Sequence, residues 1–320
     1  MKALVVEGLV KSYGSNDVVK GMSFEVSAGE VCALLGANGA GKTTTLEILE
    51  GFRQRDAGDV QVLGRDPGLR ANRRWLRDRV GLVLQSIAVE PYLTVRETMR
   101  RHAGYYPAPR SVDEVLELVG LTDQRGARVR DLSGGQQRRL DVALGVVGNP
   151  ELLFLDEPTT GFDPSARRDA WDLVRNLKAL GTTIVLTTHY MDEAQALADN
   201  VVVLAGGRVV AEGPPSSLGG RDTARTTIRF VAADGTRAAD LPLSGCTVGE
   251  SGRAECEVLD ATVALHTLTS WSLSTGTVLS DLTVDRPSLE DVVLGLTGPS
   301  QLAAPVAAPR RRRTLVRSAA

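Results

Sequence analysis

Residues 31–50 read VCALLGANGAGKTTTLEILE. Residues 31–35 are a short apolar run of strand length, and residues 42–50 have the composition of a helix. Between them, residues 36–43 spell G-x-x-x-x-G-K-[ST], the pattern of a loop that cradles phosphate. The glycines let the backbone curl so that its N–H groups face inward, and the helix N-terminus adds its dipole. Lys42 is placed to reach the β- and γ-phosphates of a nucleoside triphosphate, and the Thr43 hydroxyl to ligate Mg²⁺. The candidate nucleotide-binding residues are therefore Gly36, Ala37, Asn38, Gly39, Ala40, Gly41, Lys42, Thr43 and the adjoining Thr44. A glycine-rich turn with a surface lysine is the plain alternative; the strand–loop–helix setting argues against it.

Outward from this stretch, further apolar runs at 80–84, 152–155, 184–186 and 201–204 fit buried strands. Helical stretches lie between, among them 165–180 behind Pro164. Such alternation indicates an α/β fold around a largely parallel sheet. Residues 4–10 and 18–26 alternate more strictly and read as an antiparallel flank. Between about 86 and 145 the strand signal gives way to helices at 93–102, 111–119 and 137–146, a helical subdomain inserted into the sheet domain. GPPSS at 213–217 punctuates the end of this first unit, placed at 1–220. Residues 221–298 form a smaller accessory region with strand-like pieces at 226–231 and 256–259. Residues 299–320, Ala/Pro-rich and holding Arg310, Arg311, Arg312 and Arg313, read as a disordered basic tail.

A second constellation is ELLFLDEPTTGFDP, residues 151–164. An apolar strand delivers Asp156 and Glu157 to its carboxyl end, where open α/β sheets place their ligands. Asp156 suits the Mg²⁺ shell. Glu157 suits accepting a proton from a water that attacks the γ-phosphate. Paired acids after a strand can also simply cap the next helix, a reading weakened here by the phosphate loop. Gln85 closes VGLVLQ and His189 closes TTIVLTTH. A polar residue at a strand end is often only its boundary, so each gains weight from the company of the others. His102 and His266 have no such setting and receive no role.

Residues 132–136 read LSGGQ, with Ser133, Gly134, Gly135 and Gln136 opening a helix whose free N–H groups face an anion. This string resembles the signature of ABC ATPases, and every motif of that family stands in order over roughly residues 4–220. TTHYMDEAQALAD at 187–199 and PSLEDVVLGLTG at 287–298 are similar to one subfamily, the ATP-binding subunits of drug- and antibiotic-export systems with separate ABC-2 type permeases. The resemblance implies a P-loop NTPase fold: a mixed sheet core, an antiparallel β flank and an inserted helical subdomain, followed by a small α+β C-terminal region. It implies an ATPase using ATP and Mg²⁺. By position, Tyr13 resembles the aromatic that stacks on adenine, although a partly buried structural tyrosine would read the same. Gln85 resembles the residue that senses Mg²⁺ and the γ-phosphate, and His189 the switch histidine. GFD at 161–163 resembles the D-loop, with Phe162 where leucine is more usual. In the family, LSGGQ of one copy closes over the ATP of the other, so the resemblance implies a homodimer with two composite sites, beneath an integral-membrane ABC-2 type permease.

The composition agrees with a globular cytoplasmic protein, and the resemblance implies a position peripheral to the inner face of the membrane. Lys and Arg number 37 against 39 Asp and Glu, a formal charge of −2 that gives no global attraction to nucleic acid. No apolar run approaches the ~20 residues needed to span a bilayer. Among the three cysteines, Cys246 and Cys256 could meet, but with no CxxC pair the expectation is buried thiols in a reducing compartment. Residues 86–103 would form a groove for a permease helix, with Ile87, Val89, Tyr92 and Leu93 suited either to that contact or to ordinary packing. The competing class, a soluble ABC ATPase acting on nucleic acid or ribosomes, is disfavoured by a single cassette without a sustained heptad insertion.

Overall fold

The computed structural model describes residues 1–83, 89–221, 225–232, 236–249 and 252–297. The chain opens with β1 (Lys2–Tyr13) and β2 (Asn16–Ser27), then β3 (Val31–Gly36), α1 (Lys42–Leu49) and β4 (Ala57–Val62). A short α2 (Arg73–Arg77) leads to β5 (Val80–Val83), followed by α3 (Val95–Ala103), α4 (Val112–Leu118) and α5 (Gly134–Val146). Next come β6 (Leu152–Asp156), α6 (Pro164–Ala179), β7 (Thr183–Thr188), α7 (Met191–Leu197), β8 (Asn200–Ala205) and β9 (Arg208–Gly213). The last portion holds β10 (Thr226–Val231), β11 (Cys246–Val248), β12 (Arg253–Val258), α8 (Ala261–Thr275), β13 (Ser280–Asp285) and α9 (Leu289–Thr297).

The main sheet runs β5-β6-β7-β3-β8-β9, parallel throughout except for the antiparallel edge strand β9. Its central strands are buried on both faces, and the period of two divides their side chains between two cores. In β3, Cys32 and Leu34 face one core, while Val31, Ala33 and Leu35 face the other. The first core is closed by the antiparallel flank β2-β1-β4 and by α1. The second is closed by the helical insertion α3–α5 and by α6 and α7. The phosphate-loop strand therefore sits at the centre of the molecule, between β7 and β8.

Helix starts follow their caps. Thr94 and Glu97 form a reciprocal capping box on α3, and Ser133 and Gln136 another on α5. The second box sets the first turn of α5 at Gly134, three residues ahead of the apolar periodicity at 137–146. Asp163 caps α6 through the amides of Ser165 and Ala166, with Pro164 at the first helical position.

The second sheet, β11-β12-β10-β13, packs one face on α8 around Ile228, Phe230, Ala254, Cys256 and Leu268. The chain then returns: Leu289 and Val293 of α9 are buried in the core on the insertion side of the main sheet, together with Leu218. One expectation fails here. Cys246 and Cys256 are not two separate thiols but a disulfide. The hairpin of β11 and β12 pairs them directly across the strands, with Cα atoms 4.1 Å apart. Only Cys32 remains free, and its burial in β3 pushes the thiol well above its usual range.

Candidate functional site

The loop after β3 is shaped by backbone conditions that only glycine meets. Gly39 and Gly41 have φ of 85° and 101°, and a Cβ on Gly36 would lie 2.5 Å from the carbonyl oxygen of Leu204. Gly41 gives α1 no side-chain cap, and no acid occupies its first turn, so the helix start is left to an external anion. Lys42 is 4% exposed and donates from Nζ to the carbonyls of Gly36 at 2.7 Å and Ala37 at 3.2 Å. Burial pulls its ammonium below the usual lysine range, opposed by Glu157 and Asp156. Thr43 is exposed on the same turn.

Two neighbouring strand ends face this lysine. Thr187, at the end of β7, donates to Asp156 Oδ1 at 2.6 Å and accepts from the Glu157 amide at 2.9 Å, which locks the two acids to the adjacent strand. Glu157 has φ of 45°, a strained value for a side chain of its size and one that concentrates at working sites. Its Oε2 accepts from Thr160 at 3.0 Å, and its Oε1 lies 3.7 Å from Lys42 Nζ and 3.4 Å from His189 Nδ1. Burial pushes Asp156 up, and Thr187 holds it down.

Lys42, Asp156, Glu157 and His189 thus converge from three strand ends. Tyr13, at the end of β1, is 41% exposed, with Lys11 and Arg53 5.5 Å and 5.2 Å from its ring centroid. Ser133 and Gly134 are exposed at the tip of α5, and no recorded hydrogen bond or ion pair joins Ser133–Gln136 to the converging four among the described residues. Gln85 and Ile87 lie outside the described residues. Of the segment proposed to meet a permease, Val89 packs on the core, while Tyr92 is 65% exposed beneath Arg130.

Several residues of this neighbourhood escape a reading of the sequence. Thr187 looks like one more β-branched strand residue. Arg138, in the signature helix, donates to the carbonyls of Asp156 at 3.4 Å and Pro158 at 3.3 Å. Glu193 is only 1% exposed, and both its carboxylate oxygens lack a partner in hydrogen-bond geometry. Burial pushes that acid up, while Thr188, Thr159 and Trp171 around it favour the ionised form. In the sequence it reads as an ordinary acid in the first turn of a helix.

The chain is 39% identical over 305 residues to the daunorubicin resistance ATP-binding protein DrrA3 of Streptomyces coeruleorubidus, spanning 92% of this chain and 96% of that one. It belongs to the ABC transporter ATP-binding proteins. A second relative, the Nod factor export ATP-binding protein I of Paraburkholderia xenovorans, is 40% identical over 92% of this chain and 97% of its own. The profile of the family described as ABC transporter matches residues 19–160, and that of an ABC transporter C-terminal domain matches residues 226–288. Among solved structures, cbiO1 from Clostridium perfringens, part of the ABC transporter complex cbiONQ, is 29% identical with a TM-score of 0.62. The match covers 68% of this chain and 90% of cbiO1. An ATP-binding cassette of an ABC transporter in its ADP conformation gives 25% identity and a TM-score of 0.60, over 67% of this chain and 91% of that one.

The protein is an ABC-type ATPase that uses ATP and Mg²⁺. Its site fits both. The uncapped α1 start and the glycine cradle suit a triphosphate. One hydroxyl from Thr43 and one carboxylate from Asp156 suit Mg²⁺, which keeps waters and shares phosphate oxygens rather than filling a protein cage. Among the described residues no helix is long and apolar enough to cross a membrane.

Proposed function

We propose that this subunit energises an exporter of drugs, antibiotics or other hydrophobic compounds by ATP-driven pairing of two copies beneath an ABC-2 type permease, on the cytoplasmic side of the membrane. The observation that carries the chemical part is the fixing of Glu157 by Thr160 and by the Thr187-bound backbone, with Lys42 and His189 on the same oxygen. Glu157 then takes the proton of the attacking water, and His189 and Lys42 hold the γ-phosphate. Thr43, Asp156 and Gln85 would hold Mg²⁺, which would supply neutralisation of the triphosphate charge. Tyr13 stacks on the base. The loop 36–44 holds the triphosphate from one side, and Ser133, Gly134, Gly135 and Gln136 of the second copy close it from the other.

The export reading is supported by two relatives of nearly equal identity, one named for daunorubicin resistance and one for Nod factor export. That their named cargoes differ supports leaving cargo choice to the permease. On this reading the ATPase unit occupies 1–220, with its helical subdomain at about 86–145, and 221–298 is accessory.

Glu157→Gln is the test. It should lower turnover by about two to four orders of magnitude while ATP affinity is kept and an ATP-bound dimer accumulates in size-exclusion chromatography. Wild-type turnover in this variant would remove Glu157 from the role of base.

A further inference from the structure

Among the described residues, His189 is the member of the converging four whose side chain no hydrogen bond holds; Lys42, Asp156 and Glu157 are each held by at least one. His189 Nδ1 is buried and, although 3.4 Å from Glu157 Oε1, has no hydrogen-bond partner. An imidazole at a reacting centre is ordinarily oriented through its second nitrogen. What touches the ring here is an aromatic neighbour. The ring centroids of His189 and Tyr190 are 4.0 Å apart, with the planes inclined by 41°. Paired aromatic rings usually stand ~4.5–7 Å apart, so these two are in close contact and cannot turn independently.

Tyr190 is braced in turn by α6. Arg167, in the first turn of that helix, places its guanidinium carbon 4.4 Å from the Tyr190 centroid, within cation–π range, and donates to Asp192 Oδ2 at 3.0 Å. The Arg167 amide donates to the Asp163 carbonyl at 3.0 Å, which ties the brace to the helix cap in the GFD turn. Four residues along the same face of α6, Trp171 lies with Thr188 around the Glu193 carboxyl. On the strand side, the Tyr190 amide donates to Thr188 Oγ1 at 2.9 Å. One stripe of α6 therefore grips the segment 188–193 that carries His189. Ordinary core packing does not account for Tyr190. It belongs to neither core of the main sheet, whereas the adjacent Met191 packs on one of them.

We propose that Tyr190, braced by Arg167, is a positioning residue that fixes the tilt of the His189 ring beside Glu157. The proposal rests on the reading above in which His189 holds the γ-phosphate, and it adds what aligns the imidazole for that contact. A ring fixed before the nucleotide arrives loses no orientational freedom as the contact forms, and a misplacement of ~1 Å at a reacting centre can cost ~100-fold in rate. Since Arg167 sits in the helical turn capped by Asp163, the GFD loop and the histidine are joined through two side chains.

The test is ATP hydrolysis by the full chain and a double-mutant cycle, with single-turnover measurements at excess enzyme to resolve the slow variants. Tyr190→Leu, which keeps apolar bulk but removes the ring, should lower kcat by about tenfold and leave KM for ATP within about twofold. Tyr190→Phe keeps the ring and should run at the wild-type rate. Arg167→Met keeps the side-chain stem without the charge and should lose about two- to fivefold in kcat. In a His189→Ala background, Tyr190→Leu should have no further effect, because the ring it aligns is gone. A further tenfold loss there would mean that Tyr190 acts through the fold and not through His189, and would overturn the proposal. So would wild-type kcat in Tyr190→Leu or Arg167→Met, or a Tyr190→Phe variant as slow as Tyr190→Leu. The underlying reading is checked apart by His189→Ala alone. Wild-type turnover in that variant removes His189 from the phosphate and the positioning role with it, whereas a large loss there beside an unaffected Tyr190→Leu sinks only the positioning role.

Discussion

In β6 every residue from Leu152 to Asp156 is buried, whereas in β13 every residue from Ser280 to Asp285 is exposed. Both are strands of four- or six-stranded sheets, yet one lies between two cores and the other borders a single small one. The difference teaches where precision is needed. Asp156 and Glu157 must be held against Lys42 within ångströms, and a strand packed on both faces cannot shift without disturbing two cores. The C-terminal sheet holds no part of that cluster and keeps its place through its own small core and through α9, whose Leu289 and Val293 are anchored in the ATPase core.

The largest expected effect breaks this comparison directly. Phe154 and Phe230 are each fully buried, one in β6 and one in β10. Replacing either by alanine should remove about 3–5 kcal/mol of local stability. Phe154→Ala should lower the urea midpoint of the whole ATPase unit and take ATP turnover with it. Phe230→Ala should open the C-terminal sheet early, read as faster amide exchange in β10 and β12, and leave turnover within about twofold. Equal loss of turnover in both variants would mean that the two sheets fold and work as one unit.

The same contrast explains what the sequence discloses. The strands of the main sheet are legible because double burial makes them apolar runs, and their ends are legible because a polar residue there interrupts the run. Hence Asp156, Glu157 and His189 stand out, and the fold class follows from the alternation around residues 31–50. Thr187 is hidden by the same rule, since a threonine within TTIVLTT looks like strand filler until its hydroxyl is seen between Asp156 and the Glu157 amide. The disulfide escapes because β11 has only three residues, too few for a pattern to set the register that pairs Cys246 with Cys256. The segment after Gln85, suited either to a permease contact or to ordinary packing, lies partly outside the described residues, with Val89 packed on the core.

A smaller effect is expected at Glu193, which sharpens the idea that tight packing serves positioning. Its carboxyl lies between Thr188, next to His189, and Thr159, two residues past Glu157. Glu193→Ala would remove a buried side chain that lies beside Thr188, Thr159 and Trp171 and leave a void there, at a cost of roughly 0.5–3 kcal/mol. We expect kcat to fall by about tenfold with KM for ATP little changed, because the phosphate loop is untouched, and Glu193→Gln to recover most of the rate. A rise in KM with kcat intact would instead place Glu193 in nucleotide binding.

The smallest effect concerns Glu50, at the end of α1. Its carboxyl is raised from the usual 4.5 to about 8, first by burial and then by Asp156 and Glu47. Between those values the folded chain holds a proton that the unfolded chain has released, so stability must fall as pH rises through this window. Below the unfolded value both states are protonated and the group has no influence. Glu50→Gln removes the titration while keeping the shape, so its melting temperature should match that of the wild type near pH 5 and exceed it by a few degrees near pH 8. Parallel melting curves for the two proteins across that range would show that Glu50 is ionised in the folded state.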